Sequence, residues 1–159
     1  NSGGRSMVER LPGQQNAVEV AQAVRAGGYS GCWVIMVGTN DAANVGAGGT
    51  PGADQRIARL LDAIGGQPVL WVNVASISSD PVYGSAVMAQ FDAALDRALA
   101  SYPNLRVLNW ASLVQPDWFA NDGLHYSTVG RSWRAAVTAQ ALALAFPEVG
   151  GYDSGYEGD

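Results

Sequence analysis

CWVIMVG, residues 32–38, sets six apolar residues in a row and closes them with glycine. Apolar side chains at every position, rather than at alternate ones, read as a strand covered on both faces, the condition of a parallel strand between helical layers. PVLWVNVA at 68–75 repeats the pattern, and LRVLNW at 105–110 supplies a third run. The parallel strands are therefore expected at 32–37, 68–74 and 105–109.

Helical spacing fills the intervals. QNAVEVAQAVRA, 15–26, puts Val20 and Val24 on one face before Gly27 and Gly28 stop it. ADQRIARLLDAI, 53–64, aligns Ile57, Leu60, Leu61 and Ile64 ahead of Gly65 and Gly66. A helix over about 84–102 carries Val87, Phe91, Leu95, Leu99 and Tyr102, and Ser127 or Thr128 can cap a last helix running to Phe146. The expected inner stripe of that helix is Val129, Trp133, Val137, Ala141 and Leu144. Asn40–Pro51, rich in Gly and Ala, reads as a loop, as does 111–123. Helix and strand in alternation give an α/β sandwich with right-handed crossovers. Three strands are few for four helices, so a first strand is expected to be missing from this chain or supplied by another. Residues 1–146 form the domain, and 147–159 read as an acidic, flexible tail.

At 159 residues the chain is one domain's length. Hydrophobic residues make up 48% and charged residues 14%, against roughly 25% charged in an ordinary soluble domain, which argues against disorder. Nine arginines, no lysine and fourteen acids leave a net charge of -5. The arginines are scattered from Arg5 to Arg134, so nucleic acid is not an expected partner. Cys32 is the only cysteine; it excludes an intramolecular disulfide and reads as a small buried hydrophobe. No run reaches the roughly 18 apolar residues of a membrane span, and residues 1–15 hold no signal-peptide core. Asn1 in place of an initiator methionine fits a processed chain.

Two polar clusters stand at expected strand ends, where sites gather in such sheets. His125, the single histidine, follows Asp122 across Gly123 in NDGLHYST. In a tight turn that spacing lets the carboxylate accept the Nδ1 proton and leaves Nε2 outward as a base. Gly38-Thr39-Asn40-Asp41 follows the first run, and Asn40 can offer an amide to an oxyanion; the competing role is an Asx turn. No metal and no cofactor are expected. One histidine and one cysteine cannot build the common zinc sets, Asp41, Asp122 and His125 being the remaining combination. GAGGTPG, 46–52, lacks the spacing of a dinucleotide or phosphate loop. Trp33, Trp71 and Trp133 read as core, whereas Trp118 and Phe119, just before Asp122, read as a substrate wall.

VIMVGTND, 34–41, and DGLH, 122–125, resemble the Gly-x-Asn-Asp and Asp-x-x-His blocks of the SGNH (GDSL-like) hydrolase family, and NSGGRS, 1–6, resembles its segment bearing an oxyanion-hole glycine. The likeness covers Asn1 to Phe146, with the blocks in order. It implies a three-layer α/β/α sandwich with a flavodoxin-like parallel sheet. It implies His125 as general base, Asp122 as its orienter, and Asn40 with the Gly4 N–H, or that of Gly3, as oxyanion donors. The implied activity is serine-dependent ester hydrolysis or acyl transfer, including O-acetyl transfer, on a carbohydrate or lipid ester. Weaker likeness to envelope O-acyltransferases and acetylesterases implies a cell-wall glycan substrate and a secreted or envelope-facing location.

The Gly-Asp-Ser block that carries the family's nucleophile is absent. Ser2 and Ser6 sit in the wrong element for a nucleophile elbow, so the serine is expected on a companion N-terminal segment outside this chain. An inactive SGNH-like glycan-binding domain and a structural partner-binding α/β domain are the alternatives.

Overall fold

A computed structural model describes residues 4–147. Three parallel strands, β1 (Trp33–Ile35), β2 (Val69–Val72) and β3 (Leu105–Leu108), lie in the order β1-β2-β3. The register sets Trp33 beside Val69, Ile35 beside Trp71, and Val69 beside Leu105. Five helices surround them: α1 (Ala17–Ala26), α2 (Thr39–Gly46), α3 (Ala53–Ile64), α4 (Ser85–Ala98) and α5 (Thr128–Ala145). The α/β sandwich expected from the alternation is what forms.

Strand periodicity divides the sheet between two cores. Trp33, Ile35, Val69, Trp71, Leu105 and Val107 face the larger one, built with α1 to α4. Val72 and Leu108 face the smaller, where α5 contributes Val137. The second face of β1 is bare: Val34 is 40% exposed and Met36 42%. Two-sided burial thus holds for β2, which is buried at all four positions, and fails for β1. The reason is geometric, since α5 packs over β2 and β3 and leaves β1 uncovered. Cys32, just ahead of β1, is half-buried rather than enclosed.

Local chemistry explains the helix ends. In α1 the Asn16 side chain accepts from the Glu19 N–H while the Glu19 carboxylate accepts from the Asn16 N–H, a capping box. Ser127 caps α5 by accepting from Gly130 N–H at 3.1 Å. Gly65 ends α3 in the left-handed region. α3 buries the expected stripe of Ile57, Leu60, Leu61 and Ile64.

Four sequence expectations need correction. Residues 39–46 form α2 instead of a loop, because buried Asp41 ties that helix to distant partners where apolar periodicity is lacking. In α1 the small Ala17 and Ala21 face inward, and Val24 is exposed. α4 stops at Ala98, leaving Leu99 exposed, while Tyr102, past the helix end, still packs against the larger core and donates its hydroxyl to Asp62. In α5 the buried residues are Gly130 and Thr138, whereas Val129, Trp133 and Leu144 face outward. The acidic tail, Ser2 and Gly3 lie outside the described residues.

Candidate active site

The turn after Ala120 is held to the end of β2 through its own backbone. Gly123 accepts from Ile77 N–H at 2.8 Å and from the Ser76 hydroxyl at 3.2 Å. Its φ of +66° suits glycine, and a Cβ there would lie 2.8 Å from Ser78 N. Asp122 and His125 are therefore fixed on either side of an anchored residue.

Asp122 Oδ1 accepts from Leu124 and His125 N–H, both at 2.9 Å, and its Oδ2 lies 2.7 Å from His125 Nδ1. The His125 bond and the two N–H donors hold the Asp122 carboxyl down at about 2. It is thus a carboxylate throughout the neutral and mildly acidic range. An ionised acceptor at Nδ1 selects the tautomer with the proton on that nitrogen and leaves Nε2 basic. The His125 side chain is 77% exposed, and Nε2 has no hydrogen bond among the described residues.

Asn40 occupies the first turn of α2, five residues past the end of β1, and is half-buried. Together with Gly4 and β1 it lines a groove of about 570 Å³. Asn40 follows the carboxyl end of β1, and the Asp122–His125 turn follows β3 and is bonded to the segment leaving β2; the carboxyl ends of the strands are where α/β sheets place their sites, though neither Asp122 nor His125 lines the groove that holds Asn40. The described residues form no hydrogen bond between the two groups.

A buried network, invisible in the sequence, fixes the groove's wall. Arg56 bonds Asp41 at 2.9 Å and Asn44 at 2.8 Å and also pairs with Glu9. Asp41 further accepts from the Ser6 hydroxyl at 2.8 Å and from Met7 N–H at 3.0 Å. Burial raises the Asp41 carboxyl while Arg56, Ser6 and Met7 pull it back. Ser6 is thereby engaged by two carboxylates, Asp41 and Glu9. The segment after Gly4 and the helix bearing Asn40 are locked together at neighbouring residues.

A second missed group is Asn73, which donates to Asn109 at 3.0 Å and accepts from Ala111 N–H at 2.9 Å. It ties the exits of β2 and β3 to the loop that precedes Asp122. Within that loop the expected substrate wall is not open. Phe119 is 7% exposed in the smaller core. Trp118 is stacked on both sides, against Trp110 at 5.7 Å and Trp133 at 5.4 Å between centroids. Among the described residues no cluster of three His, Cys, Asp or Glu could hold a metal ion, and no helix is long and apolar enough to cross a membrane.

No protein-family model matches the chain, and no curated protein matches it. Solved structures do. A lipase/acylhydrolase of Enterococcus faecalis is 20% identical with a TM-score of 0.57, over 74% of this chain and 64% of that one. A Bacteroides fragilis protein described as an acylhydrolase is 16% identical with a TM-score of 0.62, over 82% and 71%. An acetyl xylan esterase of Geobacillus stearothermophilus is 15% identical with a TM-score of 0.58, over 84% and 71%. The chain thus shares the α/β fold of these solved structures, and it spans just under two thirds of the length of the Enterococcus protein.

Proposed function

We propose that this chain carries the base and the oxyanion donors of an SGNH-type serine esterase acting on a carbohydrate or lipid ester, with the serine brought by a companion N-terminal segment. The observation that carries this is the 2.7 Å contact from Asp122 Oδ2 to His125 Nδ1 with Nε2 left open. Among the described residues no serine hydroxyl bonds that nitrogen. The companion's strand pairs with the free edge of β1, beside bare Val34 and Met36. Unpaired strand edges and exposed apolar faces both favour such an addition.

In the reaction, serine Oγ bonds the ester carbonyl carbon as its proton passes to His125 Nε2. Negative charge moves to the carbonyl oxygen, where the Asn40 amide and the Gly4 N–H donate. Collapse breaks the bond to the alkoxide, which takes the proton from His125, and leaves an acyl-serine. Asp122 stabilises the imidazolium between these steps. Water deprotonated by His125 then releases the acid, or a sugar hydroxyl takes the acyl group, so that O-acetyl transfer uses the same groups. A cell-wall glycan as acceptor and a secreted or envelope-facing location complete the reading.

A glycan-binding domain without turnover is the second reading, favoured by the lack, among the described residues, of a serine hydroxyl bonded to His125. Protein bearing the preceding segment should label with a fluorophosphonate on one serine and cleave 4-nitrophenyl acetate. Absence of both would remove the esterase reading, and retention of label in a cytoplasmic fraction would remove the location.

A further inference from the structure

Trp133, expected in the core, is 51% exposed. Its indole is nonetheless not loose. One face lies parallel to Trp118, 7° between planes, and Trp118 lies on Trp110 at 21°. Trp110 in turn is fully buried and donates its indole N–H to the Tyr126 hydroxyl at 2.8 Å. The stack is drawn tight by Gly130, where a Cβ would come within 2.1 Å of the Trp118 carbonyl oxygen. An exposed aromatic plane held rigidly by two others loses little side-chain freedom when something lands on it.

The surface beside it is shaped for a small amphipathic ring. Trp133, Val129 and Ala136 line a shallow depression of about 390 Å³ with Thr128 and Ser132. Thr128 Oγ1 accepts from Arg131 at 3.1 Å and the Ser132 hydroxyl donates to the Thr128 carbonyl at 3.1 Å, each oxygen keeping acceptor capacity, and no charged residue is among those lining the depression. A pyranose presents C–H groups on its face and hydroxyls on its rim, which matches an indole flanked by Ser and Thr. A protein partner is a poorer fit, because a stable interface takes roughly 20–30 residues a side and five line this depression. Thr128 is three residues past His125, and Trp133 lies about 7.5 Å farther along α5 at the helical rise.

We propose that Trp133 is the stacking platform of a sugar subsite next to His125, so that the ester substrate is a glycan ester. The fate of the ester rests on the esterase reading, whereas the sugar contact does not.

The test is binding of two neutral β-1,4 tetrasaccharides, of glucose and of N-acetylglucosamine, followed by saturation-transfer NMR and calorimetry. At least one should bind, with transfer from indole protons to ring C–H protons. Trp133→Ala should weaken binding about tenfold and Trp133→Phe less, while Leu144→Ala, on the same helix but outside the depression, should match the parent. Circular dichroism checks that each variant is folded. In serine-bearing protein, Trp133→Ala should lower kcat/KM for an acetylated tetrasaccharide about tenfold relative to 4-nitrophenyl acetate. Equal binding by parent and Trp133→Ala, binding of neither sugar, or binding only to phosphatidylglycerol vesicles would overturn the proposal. Sugar binding through Trp133 with no serine labelling would retain the subsite and remove the esterase.

Discussion

Arg56 Nη1 and Asp41 Oδ1 meet at 2.9 Å with both side chains wholly buried. The pair spans α3 and α2 and, through Met7 N–H and Ser6, reaches the segment that follows Gly4. Removing one member of a buried pair strands the other charge and costs about 3–5 kcal/mol. Arg56→Met should therefore destabilise the chain by that order in urea unfolding. The Met7 amide, whose acceptor Asp41 loses its partner, should exchange with deuterium faster than the β2 amides do. Unchanged stability would mean that the groove wall is held by something else.

His125→Ala in serine-bearing protein should lower kcat by about 10⁴-fold or more, since base and nucleophile act as a unit. Asn40→Ala should cost about 10²- to 10³-fold in kcat with little change in KM, the pattern of a donor engaged in the transition state. Single-turnover kinetics on 4-nitrophenyl acetate separates the two. Near-parental rates in either variant would contradict its assigned role.

The Asp92 carboxyl is pushed up to about 6 by burial, against the Val74 N–H that it accepts at 3.1 Å. In the unfolded chain it titrates near the ordinary 3.8. Between about pH 4 and 6 the folded state holds the extra proton, so stability falls as pH rises through that window. Asp92→Asn keeps an acceptor for Val74 and should flatten that slope, gaining on the order of 1 kcal/mol at pH 7 after allowance for the group's partial exposure. Thermal melts from pH 4 to 7 measure it.

Gly123→Ala should lower stability by roughly 1–3 kcal/mol, combining a positive φ with a contact against backbone that cannot give way. The more telling readout is the His125 ring: its ¹⁵N shifts report whether Nδ1 still donates to Asp122. A parental tautomer in the alanine variant would show that the turn does not need its glycine.

Met36→Gln should change the stability of this 159-residue chain by no more than about 0.5 kcal/mol, as for an exposed position. In serine-bearing protein, where the proposed companion segment would cover β1, the same change should cost about 1.5–3 kcal/mol, the value of burying such a side chain. Equal effects in the two proteins would place the companion elsewhere.

Much of the layered fold and the Asp122–His125 turn were legible because they depend on near neighbours. Runs such as 68–75 announce burial residue by residue, and DGLH sets its own geometry over four positions. What escaped was long-range. α2 has no apolar stripe to betray it, because its anchor is Asp41 bonded to residues far off in the chain. The orientation of α5 is not encoded in its apolar spacing, because Trp133 packs on Trp118, a loop residue, and not on the sheet. The bareness of Val34 and Met36 depends on what neighbours β1, which a hydrophobic run by itself does not encode.

The ladder of Trp110, Trp118 and Trp133, with neighbouring centroids under 6 Å apart, has an optical consequence. Indoles this close couple their electronic transitions, so the folded chain should carry an exciton couplet in its ultraviolet circular dichroism. Two rungs belong to the loop after β3 and the third to α5. The couplet therefore registers the docking of that last helix separately from the helix content of the rest, and its amplitude follows, without any added dye, whether the scaffold behind His125 is assembled.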